Sequence, residues 1–103
     1  MNIWSSLMRM SGKNCYTITQ KRPAVMNVGM GKVTIVYPSG RSLDIGRDMI
    51  EEAYQTLVGQ GTLTIDDAFD ITGSRARTDR IMAVLATLEN VTSSSNPREL
   101  HHR

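Results

Sequence analysis

Cysteine, histidine and aromatic side chains are all scarce in this chain, and each shortage removes a class of function. The single cysteine, Cys15, cannot form an internal disulfide, so nothing ties the chain to an oxidising compartment and the cytoplasm is the expected location. Its place in a period-two run predicts a buried thiol, not a nucleophile. The only histidines, His101 and His102, are neighbours near the C-terminus. They have no partner at metal-ligand spacing and no rigid support for general-base work, so they read as solvated tail residues. Asp66, Asp67 and Asp70 lack the D-x-[DN]-x-[DN]-G pattern of a calcium loop, and no serine sits in a G-x-S-x-G elbow. No catalytic residue, metal or cofactor is expected, and the protein is not read as an enzyme. Residues 1–12 contain no continuous apolar run and no leading positive cluster, which fits neither a signal peptide nor a membrane span. With one Trp, three Tyr and one Phe, the core must draw on Ile, Leu, Val and the seven Met.

Charge, by contrast, is present in quantity and unevenly placed. Residues 1–47 hold seven bases and one acid, residues 48–73 six acids and no base, and residues 74–103 five Arg and three acids. The net charge of +2 therefore conceals blocks of opposite sign. If the blocks occupy different faces, the molecule has a dipole and its basic face can meet phosphate. Attraction between the blocks, within the fold or across a dimer, is the other consequence.

A length of 103 residues predicts one domain. Apolar residues near helical spacing, Ile3, Trp4, Leu7, Met8 and Met10, predict a short helix over 2–11. Alternation then predicts strands over 14–19, 24–28, 32–37 and 41–45, separated by the basic turn 20–23, by Gly29-Met30-Gly31 and by Pro38-Ser39-Gly40. The glycine loop lacks phosphate-loop spacing and leads into a strand, which excludes nucleotide binding there. From Gly46 the period changes. Ile50, Ala53, Tyr54, Leu57 and Val58 predict a helix over 47–59 that ends at Gly59-Gln60-Gly61. Thr64, with Asp67 three residues on, predicts a capping box opening a helix over 65–71. Thr72-Gly73-Ser74 is a turn, and Ile81, Val84, Leu85 and Leu88 form the stripe of a helix over 75–89. The opposite face of that helix carries Arg75, Ala76, Asp79, Arg80, Ala83 and Ala86. The expected fold is α+β: a small antiparallel β-meander followed by a three-helix, helix-turn-helix-like bundle over 1–91, with 92–103 a disordered polar tail.

The segment Leu63-Thr64-Ile65-Asp66-Asp67-Ala68 to Gly73, then Arg75 to Leu88, resembles the helix-turn-helix of small bacterial DNA-binding proteins. That resemblance implies a regulator whose second helix meets bases and phosphates, which carries over to Ser74, Arg75, Arg77, Thr78 and Arg80. It departs from the winged form of the family, because the strands come first and only a polar tail follows. Lys21, Arg22, Lys32 and Arg41 in the basic loops of the sheet are expected to share the contact surface with double-stranded DNA. The acids Asp66, Asp67 and Asp70 must then point away from it. A second reading stays open: a protein-interaction or homodimeric accessory module, with no affinity for nucleic acid, in which basic sheet meets acidic helix.

Overall fold

The computed structural model describes residues 3–103, so the expected helix start at Asn2 lies outside the described residues. Helix α1 (Ile3–Arg9) buries Ile3, Trp4 and Leu7. Its Trp4 is anchored at the ring nitrogen, which donates to the Gly29 carbonyl at 2.8 Å, and at the ring face, which carries the Arg47 guanidinium 4.8 Å from its centroid. Four strands follow as an antiparallel meander in the order β1 (Asn14–Tyr16), β2 (Pro23–Val28), β3 (Lys32–Val36) and β4 (Ser42–Gly46). Alternation fixes the register, with Met26 opposite Ile35 and Val33 opposite Ile45. All four of those side chains are buried, which puts one face of the sheet against the core. The first strand stops at Tyr16, short of the expected Thr19, because the turn captures Thr17. Its N–H donates to the Arg22 carbonyl and its hydroxyl accepts the Arg22 N–H, while Lys21 takes a left-handed φ of 55°.

Helix α2 (Arg47–Gln60) buries Ile50, Ala53 and Leu57 and ends on left-handed Gly61. A three-residue strand, β5 (Thr62–Thr64), then leads straight into α3 (Ile65–Thr72), whose capping box forms as the sequence predicts. Thr64 accepts the Asp67 N–H at 3.1 Å, and Asp67 returns the contact by accepting the Thr64 N–H at 3.1 Å. Helix α4 (Arg75–Leu85) starts after the Gly73 turn and is capped by Ser74. It is four residues shorter than the expected 75–89, because Thr87 and Leu88 bond carbonyls three residues back and wind the chain out of the helix.

Two expectations need correction. Strands and helices are interleaved, so the meander is not simply followed by a helical bundle. The stretch 92–103 is also no loose tail: β6 (Val91–Ser95) and β7 (Arg98–His102) form a hairpin that adds to β5 in the order β5-β7-β6. Leu100 sits opposite both Leu63 and Ser93. Leu63 and Leu100 are fully enclosed, and burying a leucine of this kind contributes about 1.5–3 kcal/mol, which acts together with the ladder pairing to β5 to hold a serine-rich segment of low hydrophobicity. His101 and His102 are correspondingly half-buried within β7. His102 Nε2 lies 3.2 Å from Asn90 Nδ2, and its ring meets Tyr54 edge-on.

At the centre lies α4. Ile81, Met82, Ala83, Val84 and Leu85 are each 1% exposed or less, five consecutive positions that a helix covered on one side cannot bury. One side packs on α2 and α3, the other on β1 and β4.

Replacing Leu100 by Ala is expected to cost about 2–5 kcal/mol in denaturant unfolding. A loss under about 0.5 kcal/mol, the ordinary range for surface substitutions, overturns the ordered hairpin. The Asp67 carboxylate is held below the ordinary aspartate range, first by the Thr64 backbone N–H and further by the Gln60 amide. Since its folded value is the lower one, its contribution is complete above the unfolded value of 3.8 and is lost as pH falls through the folded value. Asp67→Ala is therefore expected to lower stability by about 0.5–1 kcal/mol at pH 7, and the gap from the parent protein to close below about pH 3.8.

Candidate nucleic-acid interface

The turn between α3 and α4 is built from small polar groups that satisfy one another. Gly73 adopts a φ of 66°, a conformation that costs glycine nothing, and its N–H closes α3 on the Phe69 carbonyl at 2.7 Å. Ser74 accepts the Arg77 N–H, the Thr78 hydroxyl donates to the Ser74 carbonyl at 2.7 Å, and the Thr72 and Thr78 hydroxyls meet at 2.8 Å. Ser74 and Thr78 are thus spent on the turn. Thr78, at 2% exposure, is closed to a partner, contrary to the expectation that it faces one.

Arg80 departs furthest from its expected place on an open face, being only 4% exposed. Its Nη1 donates to the carbonyls of Cys15 at 3.3 Å and Arg22 at 3.0 Å, and its guanidinium stacks over Tyr37, 5.0 Å from the ring centroid. The residue pins α4 to β1 and to the turn that follows it. Beside it the Cys15 thiol is pushed up by burial, partly opposed by the Arg80 charge, so it is a core residue held in its neutral form. Ala83, also assigned to the open face, is covered as well, because the sheet packs where the helical period alone leaves a vacant surface. Arg77 is turned sideways, its Nε donating to the Asp44 carbonyl at 3.0 Å.

The loop bases divide between the two ends of the sheet. The β2–β3 register pairs Val25 with Val36 and Val28 with Val33, so the turns holding Lys21, Arg22 and Arg41 share one end and Lys32 lies at the other. Lys32 is also engaged, its Nζ 2.9 Å from Asp44. That bond, followed by one from the Thr34 hydroxyl, holds the Asp44 carboxyl below its ordinary range.

What the fold does bring together is a basic surface around the exposed start of α4. Three clefts adjoin there: the middle one shares Asp79 and Arg98 with its neighbour on one side and Tyr37 and Ala76 with its neighbour on the other. Arg75 borders the first, of about 460 Å³, Arg22 the second, of about 260 Å³, and Arg41 the third, of about 470 Å³. Arg98 reaches in from β7 and bonds Asp79 at 3.1 Å. Sequence reasoning missed Arg98 because it assigned residues 92–103 to a tail. The signal was available in Asn96-Pro97, a turn dipeptide flanked by residues able to alternate about it. The three acids expected to turn away from DNA do not share one environment. Asp67 is folded into the capping box, but Asp66 lines the same cleft as Arg75.

Comparison with family models, with curated proteins and with solved structures gave no match. The assignment therefore rests on the geometry. Among the described residues no group of three His, Cys, Asp or Glu is placed to hold a metal ion, and no helix is long and apolar enough to cross a membrane.

Arg80→Ala is expected to destabilise the fold by about 2–3 kcal/mol, the range for losing hydrogen bonds made by a buried charged donor. Arg75→Ala should change stability by less than about 0.5 kcal/mol. Equal, small effects in thermal unfolding overturn the assignment of Arg80 as the pin.

Proposed function

We propose that residues 47–102 act as a winged helix-turn-helix that binds the phosphate backbone of double-stranded DNA. The observation that carries this reading is the convergence of Arg22, Arg41, Arg75 and Arg98, from four separate segments, around the exposed first turns of α4. The element order supports it: α2, β5, α3, α4 and then a hairpin, with β7 between β5 and β6, is the arrangement in which a wing flanks the second helix of the motif. The resemblance that the sequence carried over 63–88 therefore extends to the wing.

The mode of contact differs from the one expected of the family. A major groove admits a helix along its length, but here the sheet covers α4 from Arg80 onward. Only the tip, Arg75 and Ala76 with the half-exposed Asp79, can approach base edges. Lys21 and Arg22 from the first turn of the sheet, Arg41 from its last and Arg98 from the wing then supply phosphate contacts. Affinity on this reading is chiefly electrostatic and only weakly sequence-dependent.

Phe69 favours a second reading. It is 43% exposed on α3 between Asp66 and Asp70, an apolar group framed by acids that suits the basic end of a second copy of the chain. Light scattering separates the two readings, since self-association that salt disrupts belongs to the second.

Titration of a labelled random-sequence duplex, followed by fluorescence anisotropy, tests the DNA reading. Four or five phosphate contacts give an expected loss of affinity of about 150- to 500-fold between ~50 and ~200 mM salt. Arg75→Ala and Arg41→Ala should each reduce the salt slope by about 0.9, while Lys32→Ala, at the far end of the sheet, should leave it unchanged. Absent or salt-insensitive binding overturns the proposal, as does an effect of Lys32→Ala equal to that of Arg75→Ala.

A further inference from the structure

The smallest of the three clefts has a property that surface contact with DNA does not require. Its volume is about 260 Å³, and its walls include Arg22, Arg80 and Arg98 together with Thr17, Gln20 and Tyr37. Arg80 is a buried cation, yet among the described residues no carboxylate lies within ion-pair distance of it. Burying a charge is costly without a partner of opposite sign, and two backbone carbonyls with a tyrosine ring answer only part of that cost.

The geometry of the guanidinium defines what is missing. Nη1 serves both carbonyls and the Cys15 thiol also meets the guanidinium, so the edge formed by Nε and Nη2 carries no hydrogen bond to an oxygen of a described residue. No enclosed side-chain nitrogen among the described residues lacks a partner, and Arg80, though buried, forms part of the cleft wall. An arginine edge with two parallel donors matches two oxygens of a phosphate group. Arg22 stands on the turn whose carbonyl Arg80 already holds, so its position relative to Arg80 is fixed by the backbone. The Thr17 hydroxyl, which accepts the Arg22 N–H, keeps its proton for a further acceptor. Asp79 opposes an anion, but its carboxylate is engaged by Arg98, and three arginines against one aspartate leave the walls at a formal +2.

We infer that this cleft is a binding site for a single phosphate group, held by the free edge of Arg80 with Arg22 and Arg98 closing over it. The cleft lies below the ~300 Å³ at which sites for drug-sized ligands begin, so it suits the phosphate itself and not the body of a large ligand. The phosphate comes either from a small phosphomonoester or from a strand of nucleic acid. The site does not depend on the DNA reading, although the two share Arg22 and Arg98.

The test uses the full chain labelled with ¹⁵N and titrated with inorganic phosphate, chloride being adjusted to hold ionic strength constant. The expected result is a saturable shift of the Arg80 Nε–H resonance with half-saturation at about 1–10 mM, a range typical of weak small-ion sites on the affinity scale. Arg22→Gln, an exposed position, should keep the melting temperature of the parent protein in chloride and bind phosphate at least about fivefold more weakly. Arg80→Lys, which keeps the charge and loses the fork, should weaken binding comparably. An Arg80 resonance that does not move, or an Arg22→Gln titration identical to that of the parent, overturns the inference. Parallel titrations with a nucleoside monophosphate and with a duplex lacking terminal phosphates identify the source by which of them moves the same resonance. Duplex binding without any phosphate response sinks this site alone. A phosphate response in a protein that binds no duplex sinks only the DNA reading.

Discussion

A guanidinium buried without a carboxylate holds this molecule together at its middle. Arg80 reaches across from α4 to the carbonyls of Cys15 and Arg22, joining residues 65 and 58 positions apart in the chain. The first four strands and the later helices otherwise meet chiefly through apolar contact, which is non-directional and does not set the angle between layers. Two charge-assisted hydrogen bonds and the ring of Tyr37 supply that direction. Arg77, one turn earlier, adds a bond to the Asp44 carbonyl at the opposite edge of the sheet. Between them the two arginines fasten α4 to both edge strands.

Once α4 is fixed in that place, the accessible surface follows. Its C-terminal half is enclosed between sheet and helices, so no side chain of the helix after Arg80 is free to reach a partner. Its N-terminal tip projects between the turns of the sheet and the β6–β7 hairpin. The same pin holds the Arg22 turn against the helix, and the Asp79–Arg98 pair holds β7 there. The basic clefts are a by-product of how the layers are joined, and for that reason their arginines come from segments far apart in sequence.

Local chemistry was readable in the sequence wherever it acts over a few residues. The Thr64–Asp67 capping box, the Gly73 turn and the four-strand meander all depend on contacts within one turn or one hairpin and form as read apart from the early end of β1. The α2 stripe holds at Ile50, Ala53 and Leu57 but not at Val58, which is exposed. Arg80 and Ala83 were misread because a helical period tells which side of a helix is apolar, not whether a second layer covers the other side. A long polar side chain and an alanine fit an exposed face and an inter-layer contact equally well. The hairpin over 91–102 was missed for a related reason. Its composition is that of a loose segment, and its order comes from Leu100 entering a pocket beside Leu63, 37 residues earlier in the chain. Of the candidate site, Arg22, Arg41 and Arg75 were legible as exposed bases. Arg98 was not, since its place depends on that non-local pairing.

The opposed charges of the chain take on a definite sense in this arrangement. The acids of α3 and α4 do not sit on a face remote from the arginines: Asp66 lines a cleft with Arg75, and Asp79 bonds Arg98. Each such acid weakens any attraction for phosphate at that spot, and in an exposed pair it adds little stability in return. An acid at this position makes physical sense as a placeholder. It keeps a cationic side chain ordered and partly neutralised until a stronger anion displaces it, at a small cost because the pair is half in water. Arg80 has no such placeholder, and its charge is answered only by dipoles. The contrast separates the two kinds of arginine here. Arg98 holds an acid that can be exchanged, whereas Arg80 presents a fixed and incompletely satisfied edge. On the proposed reading, an anion entering from the open side is drawn inward, past a pair that is easily opened, towards the cation anchored in the core.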